Sequence, residues 1–251
     1  MTTAADEAGE ALARLVAVVD QLLAEEGGCA WNRAQDHQSL VTYLVEEASE
    51  LVEALEDGTP ADVREELGDV LYQVVLHAAV AARSQGSGGS GGATTLAAVV
   101  DEVREKTVRR HPHVFGDARA ASLDDIVDVW SAAKAVEKAS RQSAYDGVAR
   151  TMPALARAQK LATRRRGLRH GAPEEPAGAV VRPAPSPPGV LSTAADEREW
   201  GRLLLAEIDA VEGRGFDVER ALRSAVRERE AELRAGERAR ADVRGRGEQQ
   251  A

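Results

Sequence analysis

At 251 residues the chain could form one large domain or two small ones, and it is long enough to bury a sizeable core. A net charge of −10 argues against electrostatic binding to nucleic acid or to an anionic membrane, and the single cysteine, Cys29, excludes an internal disulfide and suits a reducing compartment. Aromatic residues are only 3% against 43% apolar, so the core must be built from Ala, Leu and Val, which favours packed helices over sheets and an all-α fold.

The N-terminal stretch carries Asp6, Glu7 and Glu10 where a signal peptide would be basic, and no apolar run is long enough to span a bilayer. A soluble, cytoplasmic protein is expected. From about residue 6 to 24, Leu12, Leu15, Val16, Val19, Leu22 and Leu23 recur with a helical period, ended by Gly27-Gly28. A non-helical turn is expected at Cys29-Ala30-Trp31-Asn32, followed by Gln35, Asp36 and His37.

The next helix is expected to start near Ser39, with Leu40, Leu44, Ala48, Leu51 and Leu55 on one stripe. Gly58-Thr59-Pro60 interrupts it, Thr59 being suited to an N-cap and Pro60 to a first helical position. The helix that follows, to about residue 83, is expected to turn Val63, Leu67, Val70, Leu71, Val74, Val75 and Ala78 inward. Its short connection makes it an antiparallel neighbour of the preceding helix. Residues 84–92 read as a flexible Gly/Ser loop. Further helices are expected at about 95–110, 122–140 and 152–166. Residues 167–192 are rich in Pro, Gly and Ala and read as a linker. Two more helical patterns occupy about 193–240, divided by Gly213 to Gly215.

Two acidic clusters lie on the central helix pair: Glu46-Glu47-x-x-Glu50 and Glu66-Leu67-Gly68-Asp69. Residues three or four apart share a helix face, so Glu47 projects with Glu50 and Glu66 with Asp69. On antiparallel helices the four carboxylates converge, and Arg64 is the only basic residue between Glu46 and Asp69. A single acidic pair of this kind is common on a solvated face. Two on successive helices repel each other unless a cation sits among them, and an all-oxygen set suits Mg²⁺ or Mn²⁺. This is the pattern of a metal-dependent enzyme acting on phosphates. His77, on the apolar helix, reads as a core or interface histidine, and His111 and His113 as shaping the turn around Pro112.

In order along the chain, CAWNRAQDHQSL, YLVEEASELVEAL, EELGDVLYQVVLHA, KTVRRHPHVFGD and PALARAQKLATRR resemble the MazG family of nucleoside triphosphate pyrophosphohydrolases. The resemblance runs from about Leu12 to Arg166. It implies a MazG-like all-α helical bundle that forms homodimers or higher homo-oligomers, and Mg²⁺-dependent hydrolysis of NTP or dNTP to the monophosphate and pyrophosphate, with Mn²⁺ as a substitute. It implies Glu47, Glu50, Glu66 and Asp69 as metal ligands, with Glu46 orienting or deprotonating the attacking water. It places Lys106, Arg109 and Arg110 in the triphosphate-binding segment, and matches Trp130 and Lys134 to nucleotide contacts. A helix C-terminus favouring cations is the competing reading of Arg109-Arg110. Two of the chain's four lysines, Lys106 and Lys134, fall in these segments; the others are Lys138 and Lys160.

The chain departs from the family pattern in two places. The usual Cys-Pro-Trp-Asp reads Cys29-Ala30-Trp31-Asn32, which leaves the nucleotide contacts of Trp31 and Gln35 open. Glu199-Trp200-Gly201-Arg202-Leu203-Leu204 resembles part of a second repeat in which Arg202 replaces the metal-binding aspartate. The expected organisation is therefore a catalytic domain at 1–166, a linker at 167–192 and a decayed repeat at 193–251. Within the same superfamily the competing function is a pyrophosphatase narrowed to dUTP or dCTP. From another class it is a nucleotide-binding scaffold with little turnover, against which all four carboxylates being present argues.

Overall fold

The structure is a computed structural model that describes residues 3–85, 94–137, 141–170, 191 and 194–248. Lys138, residues 86–92 of the expected Gly/Ser loop, and residues 171–190 and 192 of the expected linker lie outside the described residues. All regular structure among the described residues is helical. The chain divides into two units, Met1–Thr107 and Val108–Ala251.

The first unit begins with α1 (Ala4–Leu23), opened by a reciprocal cap between Thr3 and Asp6. After Gly27, whose φ of +72° suits a residue without Cβ, comes α2 (Ala30–Arg33). The expected non-helical turn is thus one turn of helix. Its four residues are too few to carry a helical period. The chain re-enters helix at His37 rather than Ser39, because Asp36 and Ser39 form a second capping box, with Ser39 N–H donating to Asp36 Oδ1 at 2.7 Å.

Helices α3 (His37–Asp57) and α4 (Pro60–Gln85) make the most extensive helix–helix contact in the chain. Thr59 and Asp62 cap α4 reciprocally, and Pro60 fills its first position, where no N–H is needed. The two-residue connection at Gly58-Thr59 makes the helices antiparallel. The register follows from the far end, where His37 Nδ1 lies 2.9 Å from His77 Nδ1 and the two rings stack. The core joins Val19 and Leu23 of α1, Leu40 of α3, and Val75, Leu76 and Val80 of α4. Each of these buried side chains contributes about 1.5–3 kcal/mol. Leu96, at the start of α5 (Leu96–Arg110), packs on the edge of the core.

The inward face expected of α4 is only partly realised. Val75 and Ala78 are buried, but Leu67, Leu71 and Val74 are exposed, as are Leu55, Val41 and Val45 of α3. Helix α4 is apolar on two sides. One side packs on α1, and the other forms, with α3, an uncovered stripe that periodicity alone cannot separate from the core.

The second unit continues through α6 (Pro112–Phe115) and α7 (Leu123–Glu137) to α8 (Ala154–His170), α9 (Glu197–Val211) and α10 (Val218–Glu248). Helix α8 extends past the expected end at Arg166, since Leu168, Arg169 and His170 contain no helix breaker. It is tied to the C-terminal helices by polar contacts. Val218 N–H donates to Gln159 Oε1 at 3.0 Å, Ala156 N–H donates to Glu219, and Arg166 pairs with the buried Glu212 at 3.0 Å. Gly215, with φ of +71°, turns the chain from the short 3₁₀ turn Glu212–Arg214 into α10.

Glu212→Ala removes a carboxylate buried against Arg166 and should destabilise the second unit by about 1–3 kcal/mol. Urea denaturation monitored by circular dichroism would measure this. No change in midpoint would mean the pair does not hold α8 to the C-terminal helices.

Candidate metal centre and cationic cluster

The antiparallel register sets Glu47 opposite Asp69 and Glu50 opposite Glu66. Carboxylate oxygens of Glu47, Glu66 and Asp69 all lie within 4.8 Å of one another. Glu50 is exposed and stands outside this trio, yet it acts electrostatically on both Glu47 and Glu66. Glu46 is an exposed neighbour that adds to the charge around Glu47.

The helices gather these groups at an electrostatic cost. Burial, and then the charges of Asp69 and Glu50, raise the Glu47 pKa above the usual carboxylate range, partly opposed by a hydrogen bond from Gln73. Glu66 is raised in the same way, by burial first and then by Glu50, Asp69, Glu65 and Glu47. One oxygen of Glu66, Oε2, is buried without a hydrogen-bond partner. Opposite ligands of an octahedral Mg²⁺ stand roughly 4 Å apart, so the trio can close on a hard divalent cation with little movement. No His or Cys belongs to the trio, which disfavours a zinc-type site.

Near the far end of the hairpin, α2 presents Trp31, half exposed, with its ring edge-on to Tyr43 at 5.6 Å. Gln35 Nε2 donates to the Trp31 carbonyl at 3.0 Å. Asn32 is buried, and its Oδ1 accepts from the Tyr72 hydroxyl at 3.3 Å. A neutral amide suits that position better than a carboxylate, which would have to be desolvated there. His77, expected as a core or interface histidine, stacks on His37, and its Nε2 is buried without a hydrogen-bond partner among the described residues.

Lys106 is half-buried on α5 in the first unit. The other cationic residues form a cluster within the second unit. Glu137 receives Arg109 Nε at 3.3 Å and Arg110 Nε at 3.0 Å, and these guanidinium groups, Arg110 foremost, hold its carboxyl below the usual range. Two cations approach the Trp130 ring, with Lys134 Nζ 4.3 Å and the Arg110 guanidinium 5.7 Å from its centre.

The MazG nucleotide pyrophosphohydrolase domain matches residues 35–115, which include both acidic pairs and Arg109-Arg110. Over 236 residues the chain is 36% identical to the nucleoside triphosphate pyrophosphohydrolase/pyrophosphatase MazG of Thermotoga maritima, covering 88% of this chain and 83% of that one. It is 32% identical to the nucleoside triphosphate pyrophosphohydrolase of Escherichia coli K12, covering 90% and 86%. An uncharacterized 26.1 kDa protein of Streptomyces cacaoi is 39% identical over 225 residues, covering 90% and 83%. This chain belongs to the MazG family. It is an enzyme, a hydrolase acting on acid anhydrides, and no helix among the described residues is long and apolar enough to cross a membrane.

In this MazG chain, sequence reasoning missed two polar residues near the expected site residues. Gln73 follows Asp69 by one helical turn and Glu66 by two, so a polar side chain on the acidic face within an apolar run was the available signal. Glu137 follows Lys134 by three residues and Trp130 by seven, and an acid on that face was likewise visible as a partner for Arg109 and Arg110.

The raised carboxyls give a pH dependence of known sign. A carboxyl whose folded pKa lies above its unfolded value, about 4.3 for Glu, favours folding at low pH, and that advantage is lost as pH rises through the folded value. Without metal, Glu66→Gln should therefore melt above the unsubstituted protein at pH 8, and the gap should close toward pH 4. Divalent cation should raise the melting temperature of the unsubstituted protein more than that of the variant. A gap that widens on acidification would contradict the assigned cluster.

Proposed function

We propose that this MazG enzyme hydrolyses nucleoside triphosphates, NTP or dNTP, to the monophosphate and pyrophosphate in a Mg²⁺-dependent reaction, Mn²⁺ serving as a substitute, and that it removes damaged or surplus nucleotides in the cytoplasm. The observation that carries this reading is the convergence of Glu47, Glu66 and Asp69, together with a buried oxygen of Glu66 that has no partner among the described residues. Glu47, Glu50, Glu66 and Asp69 hold the cation. When bound, it neutralises charge on the phosphate oxygens and supports attack by water at the α–β anhydride.

The chain's own residues do the rest. A triphosphate carries several negative charges and is repelled by a site made only of carboxylates, so cations must cover its remaining oxygens. Lys106, Arg109 and Arg110 supply them, and Trp130 and Lys134 contact the nucleotide. Glu46, beside a ligand yet open to solvent, orients the attacking water or takes its proton. Trp31 contributes an exposed aromatic face to the nucleotide. Residues 1–166 supply every one of these groups, residues 167–192 act as a linker, and residues 193–251 form the non-catalytic remnant of a second repeat. The nucleotide names of the Thermotoga maritima and Escherichia coli relatives support the substrate class.

The uncovered stripe of the α3–α4 hairpin supports a homodimer. Val41 and Val45 recur one turn apart on α3, and Leu67, Leu71 and Val74 recur at helical spacing on α4, all exposed. A second copy covers them. Leu71→Glu should accordingly shift the protein from dimer to monomer in light scattering while its helical circular dichroism persists. A variant that stays dimeric would place the interface elsewhere.

Incubated with NTPs, the purified protein should release pyrophosphate, not orthophosphate, and only with Mg²⁺ or Mn²⁺. Glu50→Gln and Asp69→Asn should each lower turnover by about two orders of magnitude or more while the fold survives. A nucleoside diphosphate and orthophosphate as first products would overturn the reaction, and near-normal turnover in either variant would overturn the metal assignment.

A further inference from the structure

Gln73 is only 4% exposed, on the α4 face that carries Glu66 and Asp69. Its side chain acts on Glu47 of the opposite helix, holding that carboxyl down against the burial and like charges that raise it. An ionised carboxylate only accepts, so the amide nitrogen of Gln73 is the donor. That leaves its carbonyl oxygen, Oε1, which is buried and has no hydrogen-bond partner. A buried amide with an unpaired acceptor weakens the fold relative to Leu or Met of similar size. Its value lies in what it does for its neighbours. The same face holds a second buried oxygen without a partner, Glu66 Oε2, and the three carboxylates within 4.8 Å of one another. Glu66 Oε2 lacks a positive charge; Gln73 Oε1 lacks a hydrogen.

We propose that Gln73 is a positioning residue of the cation site: its amide aims the Glu47 carboxylate at Glu66 and Asp69, and its Oε1 accepts a hydrogen bond from a water carried by the bound divalent cation. This rests on the reading of Glu47, Glu66 and Asp69 as cation ligands. Mg²⁺ and Mn²⁺ keep several waters when held by carboxylates, and each such water is a strong donor. Residues that orient ligands from behind commonly set metal affinity by about 10–100-fold. Gln73 is not among the residues assigned to the phosphates, so its replacement acts on the cation rather than on the nucleotide.

The test uses the full chain without nucleotide and follows free Mn²⁺ by electron paramagnetic resonance, comparing the unsubstituted protein with Gln73→Leu. The variant should bind Mn²⁺ about 10-fold more weakly. In the absence of metal it should melt no lower than the unsubstituted protein, because a buried unpaired acceptor has been removed. In turnover assays the Mg²⁺ concentration for half-maximal rate should rise by a similar factor, with kcat at saturating Mg²⁺ little changed. A purely structural role would give the reverse pattern, a lower melting temperature with unchanged Mn²⁺ affinity, and would overturn the proposal. If the unsubstituted protein binds Mn²⁺ and Gln73→Leu binds it equally well, this inference alone fails. If the unsubstituted protein binds none, the cation site itself fails and takes this inference with it. Should Gln73→Leu not fold, Gln73→Met, which keeps the length of the side chain, carries the same comparison.

Discussion

The α3–α4 hairpin holds like charges together that would separate in water, and the rest of the molecule depends on that constraint. Glu47, Glu66 and Asp69 bring oxygens within 4.8 Å, and Glu50, Glu46 and Glu65 add to the same field. Such repulsion is sustained only because the two helices are fixed elsewhere: by the capped connection at Thr59-Pro60, by Leu40 packing with Val75 and Leu76, and by the His37–His77 contact at the far end. The acidic face is therefore a strained face in a rigid frame. A divalent cation held there would relieve that strain and stabilise the fold by linkage.

The second unit manages charge in the opposite way. Glu137 lies between Arg109 and Arg110, and Arg110 also approaches the Trp130 ring. One carboxylate between two guanidinium groups leaves the trio net positive while holding two side chains that would otherwise repel each other.

Much of this was legible in the sequence wherever a spacing rule has one physical meaning. Thr59-Pro60 reads as a helix start because a hydroxyl cap and a missing N–H both belong there, and the structure begins α4 at Pro60. Glu47, Glu66 and Asp69 converge because three-residue spacing on antiparallel helices leaves few alternatives. Legibility failed where several readings share one pattern. Leu67, Leu71 and Val74 were expected inside because a helix apolar on two sides gives the same periodicity whether or not both sides are covered. The turn at Ala30–Arg33 was too short to show a period, and α8 runs through Gly167 to His170 because one glycine weakens a helix without ending it. Gln73 went unnoticed because a neutral amide carries no charge signature.

The burial of α4 is unequal along its length. Among the described residues every buried side chain on this helix, from Gln73 through Val75, Leu76, Ala78 and Val80 to Ala81, lies in its second half, while Glu66 and Asp69 lie in the first. That first half also contains Gly68, where an added Cβ would meet nothing within 4 Å, so no steric demand of the described residues requires a residue that weakens a helix interior by about 1 kcal/mol. Opening free energies along one continuous helix must then form a gradient, low around the acidic face and high toward α1. In the isolated chain, amide hydrogens from Glu65 to Leu71 should exchange with solvent sooner than those from Val75 to Ala81. Rigidity and chemistry occupy opposite ends of the same helix.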